Sequence, residues 1–531
     1  MTCNDTSRAL RQVAARAFIS SVVLVLGASG HASSPPQPEV AAQTAHVRSS
    51  EVACARLSGR TVAGTSLTTT VVPASGDAPK YCKVSGTIAP ALNFELRLPN
   101  VWNGKLYYAG GGGYDGALPG LILPPLTQGY AEVVSDSGHQ GDGMSADFAL
   151  NDPFSAQLFG SLSVPTVTAE AKKILFAAYG TAPDRSYFEG CSTGGREALM
   201  AVQRDPFLFD GAIARAPAYN WVGLMGQFNR TAKALAASGG EFSTAKLILL
   251  AKRVRDACDA LDGVVDGVVS NPSACTAAVI NIDSLRCPNG ADAGDSCLSD
   301  AQLAVIQAWT SDAVFSGSSS YRSRGYNLTG NEDDPVNFGL WVSGKGDLKT
   351  AGQYIIQDTT VKYYLARDPE ANSLTYAWDQ NQTALYALAA LNDATQTDIR
   401  PFLGNGGKLI VWHGGADAAL SVNATIEYVE NVRKAVGDSK AAASMRLYVA
   451  PGVNHCGGGP GADTTDLLSA LDRWVTKGMA PETLVGQKLD AHGVVSRKMP
   501  LCEYPQYPRY VGSDHSPDAI KHAENYRCVS P

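Results

Sequence analysis

The sequence predicts an α/β fold, a mostly parallel sheet flanked by helices and interrupted by one large insertion. Three observations predict it. First, short apolar runs occur at residues 106–109, 131–135, 187–189, 212–214, 409–413 and 447–450. Each is too short for a helix and is bounded by turn-forming residues, so each reads as a buried strand. Second, stretches with helical spacing lie between several of these, at 164–179, 195–204 and 421–436. Strands alternating with helices indicate parallel pairing with both sheet faces covered. Third, residues 219–398 break the alternation. They are irregular, rich in Gly, Ser and Asp, and hold four cysteines. The alternation resumes near Leu409, which favours a lid inserted into one core over a separate domain with its own function.

Bulk properties narrow the class. The chain has 531 residues, 45% of them apolar, enough for a sizeable buried core. A formal charge of −7 and the lack of any lysine or arginine run exclude nucleic acid as the main partner. At the N-terminus, Arg8, Arg11 and Arg16 precede an apolar stretch over 17–28, then small residues at Ser29, Gly30, Ala32 and Ser33. That order predicts a signal peptide over 1–33, with an N-terminal anchor as the alternative. Pro35, Pro36 and Pro38 make 34–53 a tether. The expected organisation is then a first core part over 54–218, the lid over 219–398 and a second core part over 399–531. No later stretch is long and apolar enough to span a bilayer. A secreted or periplasmic protein is expected, with no membrane attachment after signal removal.

Cysteine usage agrees with export. Of 11 cysteines, Cys3 lies in the signal, leaving an even set of ten. Ten cysteines allow roughly 900 pairings. Proximity suggests Cys54–Cys82, Cys258–Cys275, Cys287–Cys297 and Cys502–Cys528, which leaves Cys191 and Cys456 for each other. There is no C-x-x-C pair and no H-E-x-x-H to suggest zinc.

The chemistry gathers around Gly190-Cys191-Ser192-Thr193-Gly194-Gly195, set between a strand and a helix. This G-x-S-x-G spacing suits a sharp turn that lifts a serine hydroxyl above the sheet edge. A serine nucleophile needs a base. His455 follows the strand at 447–450 in a glycine-rich loop, where an α/β-hydrolase places its base. The base needs an acid to orient it. Asp417 follows the strand at 409–413, and the order Ser192, Asp417, His455 is that of α/β-hydrolases. A helix-capping role for Asp417 and the rival Asp463 remain open. If Cys191 and Cys456 are bonded, nucleophile and base are clamped together, since a disulfide holds Cα atoms about 5–6 Å apart. Gly110-Gly111-Gly112-Gly113-Tyr114-Asp115-Gly116 suits an oxyanion loop, with Thr193 supplying a second N–H. A phosphate cradle is the alternative, but no Gly-Lys-Ser/Thr follows.

Gly-Cys-Ser-Thr-Gly-Gly-Arg-Glu at 190–197, His-Gly-Gly-Ala-Asp at 413–417 and the run Pro-Gly-Val-Asn-His-Cys-Gly-Gly-Gly-Pro-Gly at 451–461 resemble the tannase and feruloyl esterase family. Trp102-Asn103-Gly104-Lys105 fits as well, and the likeness runs from Cys54 to Cys528. The resemblance implies an α/β-hydrolase core with a large inserted lid and a catalytic triad of Ser192, Asp417 and His455. It also implies a Cys191–Cys456 disulfide, oxyanion N–H groups from Gly113 and Thr193, and His413, Leu420 and Trp341 near the substrate. The implied substrates are small esters of aromatic acids such as ferulate, gallate or terephthalate. For a terephthalate half-ester the resemblance would place a carboxylate-binding arginine within 352–364, and that stretch has none.

Asp259, Asp262 and Asp266, with Gly263 and Gly267, form an acidic loop between Cys258 and Cys275. On residue types alone it reads as a solvated turn. The resemblance implies a structural Ca²⁺ held by Asp259, Asp262, Asp266 and the carbonyls of Val264 and Val268. Two other functions stay open: a catalytically silent binding protein on this fold, and a calcium-dependent carbohydrate-binding module in the lid.

Overall fold

A computed structural model describes residues 49–315 and 321–531. The expected signal peptide and most of the tether lie outside the described residues. The end of the tether does not stay extended. Ser49 caps a helix over Ser50–Leu57 by accepting the Val52 N–H, and Ala53 and Leu57 bury their side chains.

The central sheet has ten strands. We number them β1 (Thr61–Val62), β2 (Thr65–Val72), β3 (Tyr81–Ile88), β4 (Leu92–Pro99), β5 (Lys105–Ala109), β6 (Ala131–Ser135), β7 (Arg185–Ser192), β8 (Gly211–Pro217), β9 (Lys408–Gly414) and β10 (Met445–Ala450). Their order is β1-β2-β3-β4-β6-β5-β7-β8-β9-β10. The six from β6 to β10 along that order pair parallel, and β1 to β4 extend the sheet with antiparallel pairing. All six runs read as strands lie in the parallel part. The antiparallel wing lies outside all six runs. β2 is Thr-rich and half exposed, so it lacks an apolar run.

Side-chain alternation explains why the parallel strands are apolar throughout. Leu106, Tyr108, Phe188, Ala212 and Val411 face one side, against Ile174, Leu199 and Val429 from the helices Ser163–Tyr179, Thr193–Arg204 and Val422–Val436. Tyr107, Tyr187, Ile213, Ile410 and Trp412 face the other, against Leu467, Leu471 and Trp474 from the helix Leu467–Lys477.

Residues 218–407 leave the sheet after β8 and return at its neighbour β9. This segment reads as irregular in sequence, yet it is largely helical, including Trp221–Ala236, Thr244–Cys258, Asp300–Thr310, Gly352–Thr359 and Gln382–Asn392. Trp221–Ala236 and Thr244–Cys258 are as long as the core helices, but the Gly-, Ser- and Asp-rich segments between the elements mask their periodicity. The segment has an apolar cluster of its own built on Leu250, Val254 and Leu298, and shares another, built on Trp221, Phe228 and Trp378, with Tyr114 and Phe159 of the core. Five disulfides join Cys54–Cys82, Cys191–Cys456, Cys258–Cys275, Cys287–Cys297 and Cys502–Cys528. Among the described residues no helix is long and apolar enough to cross a membrane.

Candidate active site

β7 ends at Ser192, and the next residue begins the helix Thr193–Arg204. Ser192 has φ 63° and ψ −118°, a backbone conformation that only a tight turn imposes on a side-chain-bearing residue. The turn closes because its neighbours lack side chains. A Cβ on Gly190 would lie 2.6 Å from the Gly194 carbonyl, and one on Gly195 would lie 2.4 Å from the Arg215 carbonyl oxygen. The serine therefore sits at the carboxyl edge of the sheet, at the positive end of a helix.

Asp417 lies just beyond β9, fully buried at its carboxylate. One carboxylate oxygen accepts the N–H groups of Ala419 and Leu420, each at 2.8 Å. The other lies 2.8 Å from Nδ1 of His455 and 3.2 Å from Nε2 of His413. Burial alone would raise the Asp417 pKa. The attraction of His455 and the hydrogen bonds from His413 and His455 outweigh it and hold the group well below the usual carboxylate range. With Nδ1 committed to Asp417, the Nε2 side of His455 is the one open to a proton. His413 is fully buried and also contacts the Thr425 hydroxyl at 2.9 Å and the Leu420 carbonyl at 3.1 Å. His413 and Leu420 thus stand behind Asp417. Trp341 sets its ring edge-on to His455, with centroids 5.1 Å apart.

The Cys191–Cys456 bond holds its two Cα atoms 5.9 Å apart, which brings the chain at Ser192 beside the chain at His455. The inserted segment supplies further supports that sequence reasoning missed. Asn337 donates to the Ala416 carbonyl at 2.8 Å and accepts the Ala418 N–H at 3.1 Å, bracketing Asp417. Asp334 accepts from the Asn454 side chain at 2.7 Å, and Asn331 donates to Asn454 at 3.3 Å. These residues sit in the polar run 331–337, which reads only as a turn. Their partners are more than 75 positions away, so no local pattern marks them.

The glycine loop after β5 lies against the serine turn. Gly113 has φ +59°, and a Cβ there would stand 2.2 Å from the Gly143 carbonyl oxygen. The Thr193 hydroxyl donates to the Gly113 carbonyl at 2.5 Å, and the Gly194 N–H donates to the Gly111 carbonyl at 3.1 Å. The two candidate oxyanion donors are thereby tied to each other. Ser192, His455, Gly110–Gly113 and Trp341 line one cavity of about 780 Å³. Ile122, Pro124 and Leu467 give it apolar wall, and Arg215 and Glu189 form an ion pair of 2.6 Å on the same wall. Asp463, the rival acid, also lines the cavity, but its carboxylate accepts from the Gly458 N–H and Lys488.

The acidic loop lies away from this cavity. Asp259 accepts the N–H groups of Asp266 and Gly267, and Asp262 accepts those of Val264 and Ser270. Asp266 pairs with Arg497 at 3.2 Å. Burial first, then the charge of Asp266, pushes Asp262 up to about 7. Among the described residues no three ligating side chains gather as a metal cluster. The donors available, carboxylates and the Val264 and Val268 carbonyls, are all oxygen, which is the chemistry a hard cation requires.

A family model described as tannase and feruloyl esterase matches residues 76–529. Mono(2-hydroxyethyl) terephthalate hydrolase of Piscinibacter sakaiensis is 32% identical, covering 86% of this chain and 87% of that protein. A probable feruloyl esterase of Arthroderma benhamiae is 29% identical, covering 81% and 82%. The crystal structure of feruloyl esterase B from Aspergillus oryzae superposes with a TM-score of 0.75 at 23% identity, covering 89% of this chain and 97% of that one. Tannin acyl hydrolase from Aspergillus niger superposes with a TM-score of 0.71 at 23% identity, covering 91% and 95%.

Proposed function

The chain belongs to the tannase and feruloyl esterase family and is a carboxylesterase of α/β-hydrolase fold; on that premise we propose that it is exported and cleaves small aromatic-acid esters through Ser192, Asp417 and His455. The observation that carries this reading is the 2.8 Å contact of His455 with Asp417, on a loop disulfide-bonded to the residue beside Ser192.

His455 takes the Ser192 proton as the hydroxyl attacks the ester carbonyl. The tetrahedral oxyanion rests on the Gly113 and Thr193 N–H groups. Protonation by His455 releases the alcohol. Water, activated by His455, then attacks the acyl-enzyme and frees the acid. Asp417 steadies the imidazolium throughout without taking its proton.

The inserted segment acts as a lid, since its Trp341 stands over His455 in the cavity wall. Trp341 with the apolar wall suits an aromatic acyl group such as feruloyl or galloyl. Mono(2-hydroxyethyl) terephthalate is the alternative substrate, supported by the 32% identical relative. Its free carboxylate needs a cation, and the cavity's Arg215 is engaged by Glu189. Five disulfides suit an oxidising compartment, secreted or periplasmic. A structural Ca²⁺ held by Asp259, Asp262, Asp266 and the Val264 and Val268 carbonyls would offset the charge that raises Asp262.

Ser192→Ala on the folded protein should abolish hydrolysis of methyl ferulate, methyl gallate and mono(2-hydroxyethyl) terephthalate alike. Full activity in that variant would remove the serine mechanism. The relative kcat/KM on the three esters assigns the acyl group, with the half-ester expected to be the poorest.

A further inference from the structure

Beneath the glycine loop lies a pair of acids that the mechanism does not use. Glu197 stands one turn into the helix that begins after Ser192, and Asp115 closes the glycine loop with φ +55°. Both side chains are buried, and Asp115 Oδ1 has no hydrogen-bond donor among the described residues. A buried carboxylate oxygen left without a donor is costly when ionised, and one proton held between the two acids removes that cost. Glu197 accepts the Gly111 N–H at 3.1 Å. The Ser137 hydroxyl donates to Asp115 and lies 3.4 Å from Glu197. The loop rests directly on the pair: a Cβ on Gly111 would stand 2.5 Å from Asp115 Oδ1.

We propose that Asp115 and Glu197 share one proton and act as a positioning pair that latches the glycine loop to the helix carrying the nucleophile. The oxyanion N–H groups then stay aligned while that proton is held. The proposal rests on the esterase reading of Ser192 and the glycine loop.

The surroundings favour the half-protonated state. Burial, then the facing Glu197, pushes Asp115 well above the usual carboxylate range, and burial pushes Glu197 up as well. The groups facing the pair are the Ser137 hydroxyl, the Gly111 N–H and the buried Arg196 guanidinium, with Tyr108 and Asp136 beyond. Arg196 is held by the Gly160 and Phe159 carbonyls and offsets one negative charge. One proton on the pair leaves that single charge. Losing the proton to alkaline solvent leaves two facing carboxylates, which repel and part the loop from the helix.

Three measurements on the full chain test this. Glu197→Ala should lower kcat about tenfold or more with KM little changed, below the roughly 100-fold cost of deleting a direct oxyanion donor. Glu197→Gln, which keeps the Gly111 contact and donates to Asp115, should recover most of that kcat and remove the alkaline fall of the wild-type kcat profile. Difference infrared spectra of wild type against Asp115→Asn at neutral pH should show a protonated carboxyl C=O stretch. Absence of that band, or a Glu197→Gln alkaline limb identical to wild type, overturns the pair. The infrared band does not depend on activity, so it survives a failure of Ser192→Ala and separates the two hypotheses.

Discussion

At the scale of single residues, the site is a contest between burial and hydrogen bonding. Asp417 is buried, yet two backbone N–H groups and two histidines keep it ionised. Its folded pKa lies below the ordinary value. The stability it contributes is therefore present above the unfolded carboxylate pKa and is lost as pH falls through the folded value. Asp417→Asn should lower kcat by about 10⁴ through the wrong imidazole tautomer. The same variant should flatten the acid side of the stability curve, checked by thermal melts across acidic buffers. Asp115 and Glu197 are the reverse case, with folded values raised. Their stabilising contribution is full in acid and fades as pH rises through those values.

At the scale of elements, the loops after β9 and β10 carry Asp417 and His455, the proposed acid and base, and the inserted segment braces both. Asn337 makes two hydrogen bonds around Asp417 and is almost fully buried. Asn337→Ala leaves an N–H and a carbonyl without partners, at a cost of about 1–3 kcal/mol each. The expected outcome is a thermal midpoint lowered by several degrees and a kcat lowered about tenfold or more by misplacement of the acid. A kcat equal to wild type would show that Asn337 acts on stability alone. This level also shows what a sequence carries. Strands β5 to β10 were legible because burial on both faces leaves unbroken apolar runs between glycines. The elbow and its histidine loop were legible because tight turns demand glycine at fixed spacing. β2 to β4 were not: Thr and Ser stand on the half-exposed faces of β2 and β3, and Asn93, Glu95 and Arg97 interrupt the apolar residues of β4. The helices of the insertion were hidden by the Gly-, Ser- and Asp-rich segments that join them. Asn331, Asp334, Asn337 and Glu197 act through contacts distant in sequence, and a lone polar residue carries no mark of its partner.

At the scale of the whole molecule, the buried acidic loop is where a bound ion would add to stability. Asp262 is held up to about 7 in a loop crosslinked by Cys258–Cys275. A cation bound there would stabilise the fold by mass action, about 2.7 kcal/mol when present at about 100 times its Kd. Chelation should lower the thermal midpoint, added Ca²⁺ should restore it, and Asp262→Asn should lose the response. A midpoint indifferent to chelator would remove the cation from the account. The Cys191–Cys456 bond has a consequence of a different kind. It joins residues 265 positions apart and so closes β8, the whole insertion, β9 and β10 into one covalent ring. A single scission anywhere in that ring opens it without freeing either piece. Ser192 and His455 then lie on separate fragments that remain bolted together beside the cavity. The insertion can therefore drift in length and sequence, or be nicked, without Ser192 and His455 parting.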